Sequence, residues 1–227
     1  MKSAMVLLSG GLDSTVLLHQ VVKELEHDPV YAISFKYGQR HSRELDMARW
    51  QADHLTDVRE HCVVELPAFE YITAASSALI KGGVEVPDLQ EIAPGDRDQP
   101  PTYVPNRNMT MLSIAAAAAE ARNCPYVYYA AQAQDEYGYW DCTEDFVERM
   151  NAVLTLNRRN PVAIRAPFVN QRKSEGDRIG QRLGVDFEHT WSCYRGGDAP
   201  CRTCPTCIER QKAFAEAGAV DPWDTGH

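Results

Sequence analysis

The chain has 227 residues, 44% of them apolar, and a formal net charge of −9 at pH 7. That content allows one substantial core with a small appendage, while the negative charge argues against a general affinity for nucleic acid, which needs a basic surface. No run approaches the roughly 18 apolar residues of a membrane span, and the N-terminal apolar run leaves no room for a cleaved signal peptide, so a cytoplasmic protein without nucleic-acid or membrane partners is expected.

The run Ala4-Met5-Val6-Leu7-Leu8 reads as a buried strand, and Leu17, Leu18, Val21, Val22 and Leu25 follow at the spacing of one helical face. Between them lies Ser9-Gly10-Gly11-Leu12-Asp13-Ser14. Two glycines let the backbone turn sharply and approach a ligand, and the N–H groups at the helix start then face an anion. No Gly-Lys-Ser/Thr follows, so this is not a Walker A loop. It resembles the pyrophosphate loop of the ATP pyrophosphatases, enzymes that adenylate an oxygen and release pyrophosphate. A plain Gly-Gly turn capped by Asp13 or Ser14 fits the same residues.

Val30 to Phe35 is expected to form a second strand, followed by Lys36-Tyr37-Gly38-Gln39-Arg40-His41 and a helix from about Ser42 to Leu55. Strand, helix, strand implies an α/β fold, a parallel doubly wound sheet of about five strands, with ligands beyond the strands' carboxyl ends. The glycine loop and the Tyr37 to His41 turn fall there. A third strand, about Glu60 to Leu66, leads into a long connection to about Pro105, carrying Pro87, Pro94, Pro100 and Pro101 among acidic residues. Connections of that length are either mobile or functional. Ser76 to Leu79 suggests a helical turn, and residues 88–100 are assigned no order.

Val104-Pro105-Asn106-Arg107-Asn108 then precedes a helix through Met111 and Leu112 to about Ala121, with Asn108 or Thr110 as its cap. Tyr126 to Ala131 reads as the fourth strand. Its exit, Asp135-Glu136-Tyr137-Gly138-Tyr139-Trp140-Asp141-Cys142, gathers carboxylates and aromatics that suit a guanine-like base or an ordinary aromatic turn. A helix over Thr143 to Leu156, a strand over Val162 to Arg165, and a helix from Lys173 that Gly184 should end complete the series. Lys173 suits a phosphate or a solvated face equally.

Seven cysteines are present, and Cys193, Cys201, Cys204 and Cys207 form a C-x7-C-x2-C-x2-C pattern. Four thiolates make a closed tetrahedral set, favoured by zinc in a structural role. A cluster or no metal are the alternatives, although the spacing is not that of the ferredoxin runs. Cys62, Cys124 and Cys142 read as ordinary small apolar residues.

With the loop and the cysteine set together, nearly the whole chain is similar to the 7-cyano-7-deazaguanine synthases, the queuosine branch of the ATP pyrophosphatases. The motifs are Leu8 to Ser14, Phe35 to His41, Val104 to Asn108, Tyr137 to Cys142, Thr190-Trp191-Ser192-Cys193-Tyr194 and the last three cysteines. The resemblance implies conversion of 7-carboxy-7-deazaguanine to the 7-cyano compound with ATP and ammonia, Mg²⁺ assisting and zinc structural, by an enzyme that is often a homodimer. It implies a pyrophosphate-loop domain over residues 1–188 and a zinc-binding lobe over 189–227. ATP would be held by Leu8, Ser9, Gly10, Gly11, Leu12, Asp13, Ser14 and Ser34. Substrate would meet Tyr37, Gln39, Arg40, His41, Arg107, Asn108, Asp135, Tyr137 and Asp141, and the catalytic groups would be Asp13, Ser14, Lys173 and Arg107. The family usually has a glycine, a serine and a proline where this chain has Asn106, Tyr137 and Trp140. A variant stopping at the 7-amido product or using a related deazaguanine is the alternative this raises. A tRNA sulfurtransferase and a non-catalytic nucleotide-binding module are two further ones.

Overall fold

Short β-branched runs alternate with helices long enough to cross back over a sheet, and that order leaves only parallel pairing between successive strands. The computed structural model describes residues 2–40, 42–74, 76–92, 100–132 and 139–224. Strands β1 (Ala4–Leu7), β2 (Val30–Lys36), β3 (Val58–Glu65), β4 (Tyr126–Tyr128) and β5 (Ala163–Arg165) form one sheet in the order β3-β2-β1-β4-β5, every neighbour parallel. The expected α/β class and five strands are thus found. Because the chain leaves β1 toward β2 and later returns to its other side at β4, the strand order reverses between β1 and β4, the place where such sheets open a crevice.

Seven helices are described: α1 (Leu12–Lys23), α2 (Arg43–His54), α3 (Pro67–Thr73), α4 (Arg107–Ala121), α5 (Glu144–Leu154), α6 (Lys173–Leu183) and α7 (Pro205–Ala217). Side chains alternate across the central strand. Ala4, Val6 and Leu8 pack with Val16 and Leu17 of α1 and Phe214 of α7, while Met5 packs with Leu112 and Ala115 of α4 and Phe146 of α5. A strand covered on both faces reads as a continuous apolar run, as this one does. Among the described residues no helix is long and apolar enough to cross a membrane.

Three details differ from the sequence reading. Leu66 is followed at once by α3, because Pro67 pre-sets the first helical position. The connection then folds back: Gln39 bridges to Ile80, and the Arg40 N–H donates to the Leu79 carbonyl, burying Ala78 and Ile80. Ser76 to Leu79 is turn rather than helix, and Leu89–Glu91 forms a short 3-10 turn. Finally, α4 starts at Arg107 behind Asn106, which lies in the left-handed region with no side-chain cap, so neither Asn108 nor Thr110 is the cap. Thr143 does cap α5, accepting from the Phe146 N–H.

Candidate active site

The Leu8 N–H donates to the Ile33 carbonyl, carrying the β1–β2 ladder one residue further before the chain turns at Gly10. Gly10 has φ +86°, and a Cβ there would lie 1.8 Å from the Glu44 carbonyl oxygen of α2, so only glycine fits. Hydroxyls brace the turn: Ser9 Oγ accepts from the Gly11 N–H, and Ser14 Oγ accepts from the Ser9 N–H and donates to the Gly11 carbonyl. From the other side the Trp191 N–H donates to the Gly10 carbonyl at 3.0 Å. Helix α1 begins with no side-chain cap, so its first turn is left to meet a ligand.

Beyond this loop lies a cavity of about 300 Å³, lined at the loop by Leu8, Ser9, Gly11, Leu12, Asp13 and Ser14. The first turns of five helices reach it: α1 through Asp13, α2 through Glu44, α4 through Arg107 and Asn108, α6 through Lys173, and α7 through Pro205 and Thr206. Each helix start is the positive end of a dipole. Their convergence on one space makes an anion site in a chain of net charge −9.

Arg107 is surrounded by Tyr37, Tyr194, Tyr139 and Asp141. Burial works against its charge, but these four neighbours outweigh it and hold its pKa well above the usual value. Burial likewise raises the three phenols, which stay neutral near pH 7. Burial also pushes the Glu44 carboxyl up to about 7, against the pull of Arg107. On α6, Lys173 pairs with Glu209 of α7 at 2.5 Å. One turn on, Asp177 is wholly buried, its two oxygens having no hydrogen-bond partner among the described residues. Burial and then the nearby Asp13 carboxylate push Asp177 up to about 7, while Arg210 and Lys173 pull the other way.

The four C-terminal cysteines meet behind the Trp191 wall. Their Sγ atoms all lie within 4.8 Å of one another, and Cys193, Cys204 and Cys207 are buried. Sulfurs on one tetrahedral zinc at about 2.3 Å sit roughly 3.8 Å apart, so the set fits a single ion. The Cys201 N–H points at Cys193 Sγ and the Cys204 N–H at Cys201 Sγ, contacts that favour thiolates. Hydrogen bonds from Cys193 and then Cys207 hold the Cys204 thiol well below its usual range.

The family described as "Queuosine biosynthesis protein QueC" matches residues 3–218 of this chain. The chain belongs to the QueC family. It is 40% identical over 224 residues to the 7-cyano-7-deazaguanine synthase of Trichodesmium erythraeum (strain IMS101), covering 96% of this chain and 98% of that one. To the enzyme of the same name from Archaeoglobus fulgidus it is 41% identical over 220 residues, covering 96% and 88%. Among solved structures, a 4-thiouridine synthetase in an RNA complex with bound ATP superposes with a TM-score of 0.54 at 17% identity, over 96% of this chain and 50% of that one. That likeness bears on the fold alone.

In this QueC chain the structure brings Leu8, Ser9, Gly11 to Ser14, Tyr37, Arg107, Asn108 and Lys173 together at the cavity. Others serve differently. Gln39 also reaches the cavity, but its amide spans the Tyr37 N–H and the Phe35 carbonyl, building the turn. Arg40 lines it too, while its guanidinium donates to the carbonyls of Ala78, Gly83 and Val84. Ser34 is buried away from the cavity, donating to the Leu8 carbonyl and bonded to His61, so it supports the loop from beneath. Asp141 is buried outside the cavity and receives bonds from Asn108 at the start of α4. His41, Asp135 and Tyr137 lie outside the described residues. Asn106 and Trp140 do not line the cavity either; the Trp140 indole donates to the Tyr103 hydroxyl and meets Phe146 edge-on.

Sequence reasoning missed Glu44, Gln132, Tyr194 and Glu209, all at the cavity, where Tyr139 of the aromatic loop also lies. Gln132 is buried with no partner for its amide among the described residues. Its position just past β4 is the signal available, since β4 flanks the crevice. Cys142, expected to be a plain apolar residue, also lines the cavity and bonds with the Tyr129 hydroxyl.

Proposed function

We propose that the chain converts 7-carboxy-7-deazaguanine, ATP and ammonia to 7-cyano-7-deazaguanine through an adenylated carboxylate and an adenylated amide. Membership of the QueC family supports this reading. The observation that carries it is the meeting of the Ser9 to Ser14 loop, Arg107 and Lys173 at one cavity that the first turns of five helices line.

The loop N–H groups would hold the pyrophosphate end of ATP while Arg107 pairs with the substrate carboxylate, bringing that oxygen to the α-phosphorus. Lys173 would offset charge growing on the departing pyrophosphate. Asp13, the carboxylate of the loop at the cavity, would hold Mg²⁺, which would supply further charge neutralisation when it arrives with ATP. Ammonia then displaces AMP to give the amide; adenylation of the amide oxygen and loss of AMP give the nitrile. Cys193, Cys201, Cys204 and Cys207 would hold zinc, whose part is to fix the lobe.

Chromatography of spent nucleotide tests the bond broken. AMP and pyrophosphate are expected, at a rate that Asp13→Ala lowers about 100-fold or more; ADP as sole product would overturn the proposal. Mass spectrometry tests the endpoint, where a product one water lighter than the amide is expected. Accumulated amide that fresh enzyme and ATP leave unchanged would refute the nitrile and leave adenylation standing.

A further inference from the structure

Amide formation puts a demand on the cavity that phosphate binding does not. When the ammonia lone pair attacks the acyl carbon of the adenylate, a nitrogen–carbon bond forms and the nitrogen becomes positively charged. To reach the neutral amide it must lose a proton, before or as the carbon–oxygen bond to phosphate breaks and AMP leaves with that electron pair. A positioned acceptor for that proton speeds the step.

Among the described residues lining the cavity, the carboxylates are Asp13, Glu44 and Glu209. Asp13 belongs to the pyrophosphate loop, and Glu209 is paired with Lys173 at 2.5 Å. Glu44 remains. It projects from the first turn of α2, whose backbone is fixed against Gly10 of the loop. The charged or titratable groups facing it are Arg107 from α4, Tyr37 from the turn after β2, and Tyr194 from the C-terminal segment. On its own helix the neighbouring Arg43 is turned away, donating to the Gly197 carbonyl and lying over the Trp191 ring.

We propose that Glu44 is the general base of the amidation step, taking the proton from the attacking ammonia nitrogen beside the carboxyl carbon that Arg107 positions. The assignment rests on the function proposed above. Geometry places the carboxylate at the same cavity as Arg107, close enough for the two charges to interact, and it is the cavity carboxylate that neither belongs to the loop nor pairs with Lys173. Its pKa, pushed up to about 7 by burial, suits a base working near neutral pH.

The test uses full-length Glu44→Gln, which keeps the size of the side chain and removes its basicity. Two rates are measured on the same preparation: exchange of labelled pyrophosphate into ATP with the 7-carboxy substrate and no ammonia, and amide formation with ammonia. The ratio of amide formation to exchange is expected to fall about 100-fold or more, the usual weight of a positioned base. At a fixed concentration of unprotonated ammonia, the wild-type amide rate should also rise through pH 7, and the variant's should be flat. A ratio within about fivefold of wild type, including one in which both rates fall together, would overturn the assignment, because it would give Glu44 a structural or binding role. Wild-type protein that shows no exchange with the 7-carboxy substrate would instead overturn the proposed function.

Discussion

Asn106 sits at φ 52° and ψ 23°, where a Cβ crowds the following carbonyl and most residues lose about 1–2 kcal/mol. Asparagine tolerates this region far better than other non-glycine residues. Where the resemblance implies a glycine, Asn106 itself holds a left-handed turn, and it does so with an exposed side chain that does not line the cavity. Its N–H donates to the Tyr103 hydroxyl in the same turn. We expect Asn106→Gly to leave the KM for the deazaguanine unchanged and to shift stability by less than about 1 kcal/mol, whereas Asn106→Val should cost about 1–2 kcal/mol. Urea midpoints measured beside the KM decide the matter. A KM change in Asn106→Gly without a stability change would mean that the side chain meets the ligand.

Helix α6 carries Lys173 to the cavity rim and, one turn further, buries Asp177 against α1 and α7. The second of these weakens the fold at neutral pH. An unfolded chain would release the Asp177 proton at the ordinary 3.8, whereas the folded chain holds it up to about 7. Between those values the folded state binds more protons, so stability falls as pH rises, and the loss is complete above pH 7, at most about 4 kcal/mol. In protein without nucleotide, Asp177→Asn should raise the melting temperature at pH 8, the gain shrinking as pH falls and disappearing near pH 4. An equal gain at both pH values would show that charge is not the cause. The lysine that opens α6 and the glycine that closes it were legible in the sequence, as were the strand, loop and helix around Ser9 to Ser14, because capping and periodicity are local. The aspartate between them was not. An acidic residue on a helix reads as solvated until α1 and α7 are known to cover it, and Glu44 was hidden by the same ambiguity at the start of α2. Gln39, Arg40 and Ser34 show the converse. Each has the chemistry of a ligand contact, but whether it meets ligand or backbone depends on carbonyls such as those of Ala78 and Gly83, which only the tertiary fold brings near.

At the scale of the whole molecule, the cysteine cluster and the cavity proposed to take ATP are one construction. Trp191, Ser192 and Tyr194 on one side of the sulfur cluster, and Pro205, Thr206 and Glu209 on the other, line the cavity while the cysteines between them face inward. Arg210, itself at the cavity, fastens this wall, bonded twice to Asp221 and to the Thr190 hydroxyl. The Trp191 N–H then joins the wall to the Gly10 carbonyl of the phosphate loop. A single ion tying Cys193 to Cys207 would thus hold one face of the cavity proposed for ATP, and its binding energy would be folding energy for this C-terminal part. Elemental analysis of protein never exposed to chelator should give close to one zinc per chain. Cys204→Ser should drop below half of that and also raise the KM for ATP about tenfold or more, since the Trp191 to Gly10 contact depends on the ordered lobe. Asp13→Ala provides the contrast, with turnover lost and zinc retained. Unchanged metal in Cys204→Ser would refute the four-cysteine site, and lost metal with an unchanged KM would show that the lobe keeps its shape, and the cavity its wall, without the ion.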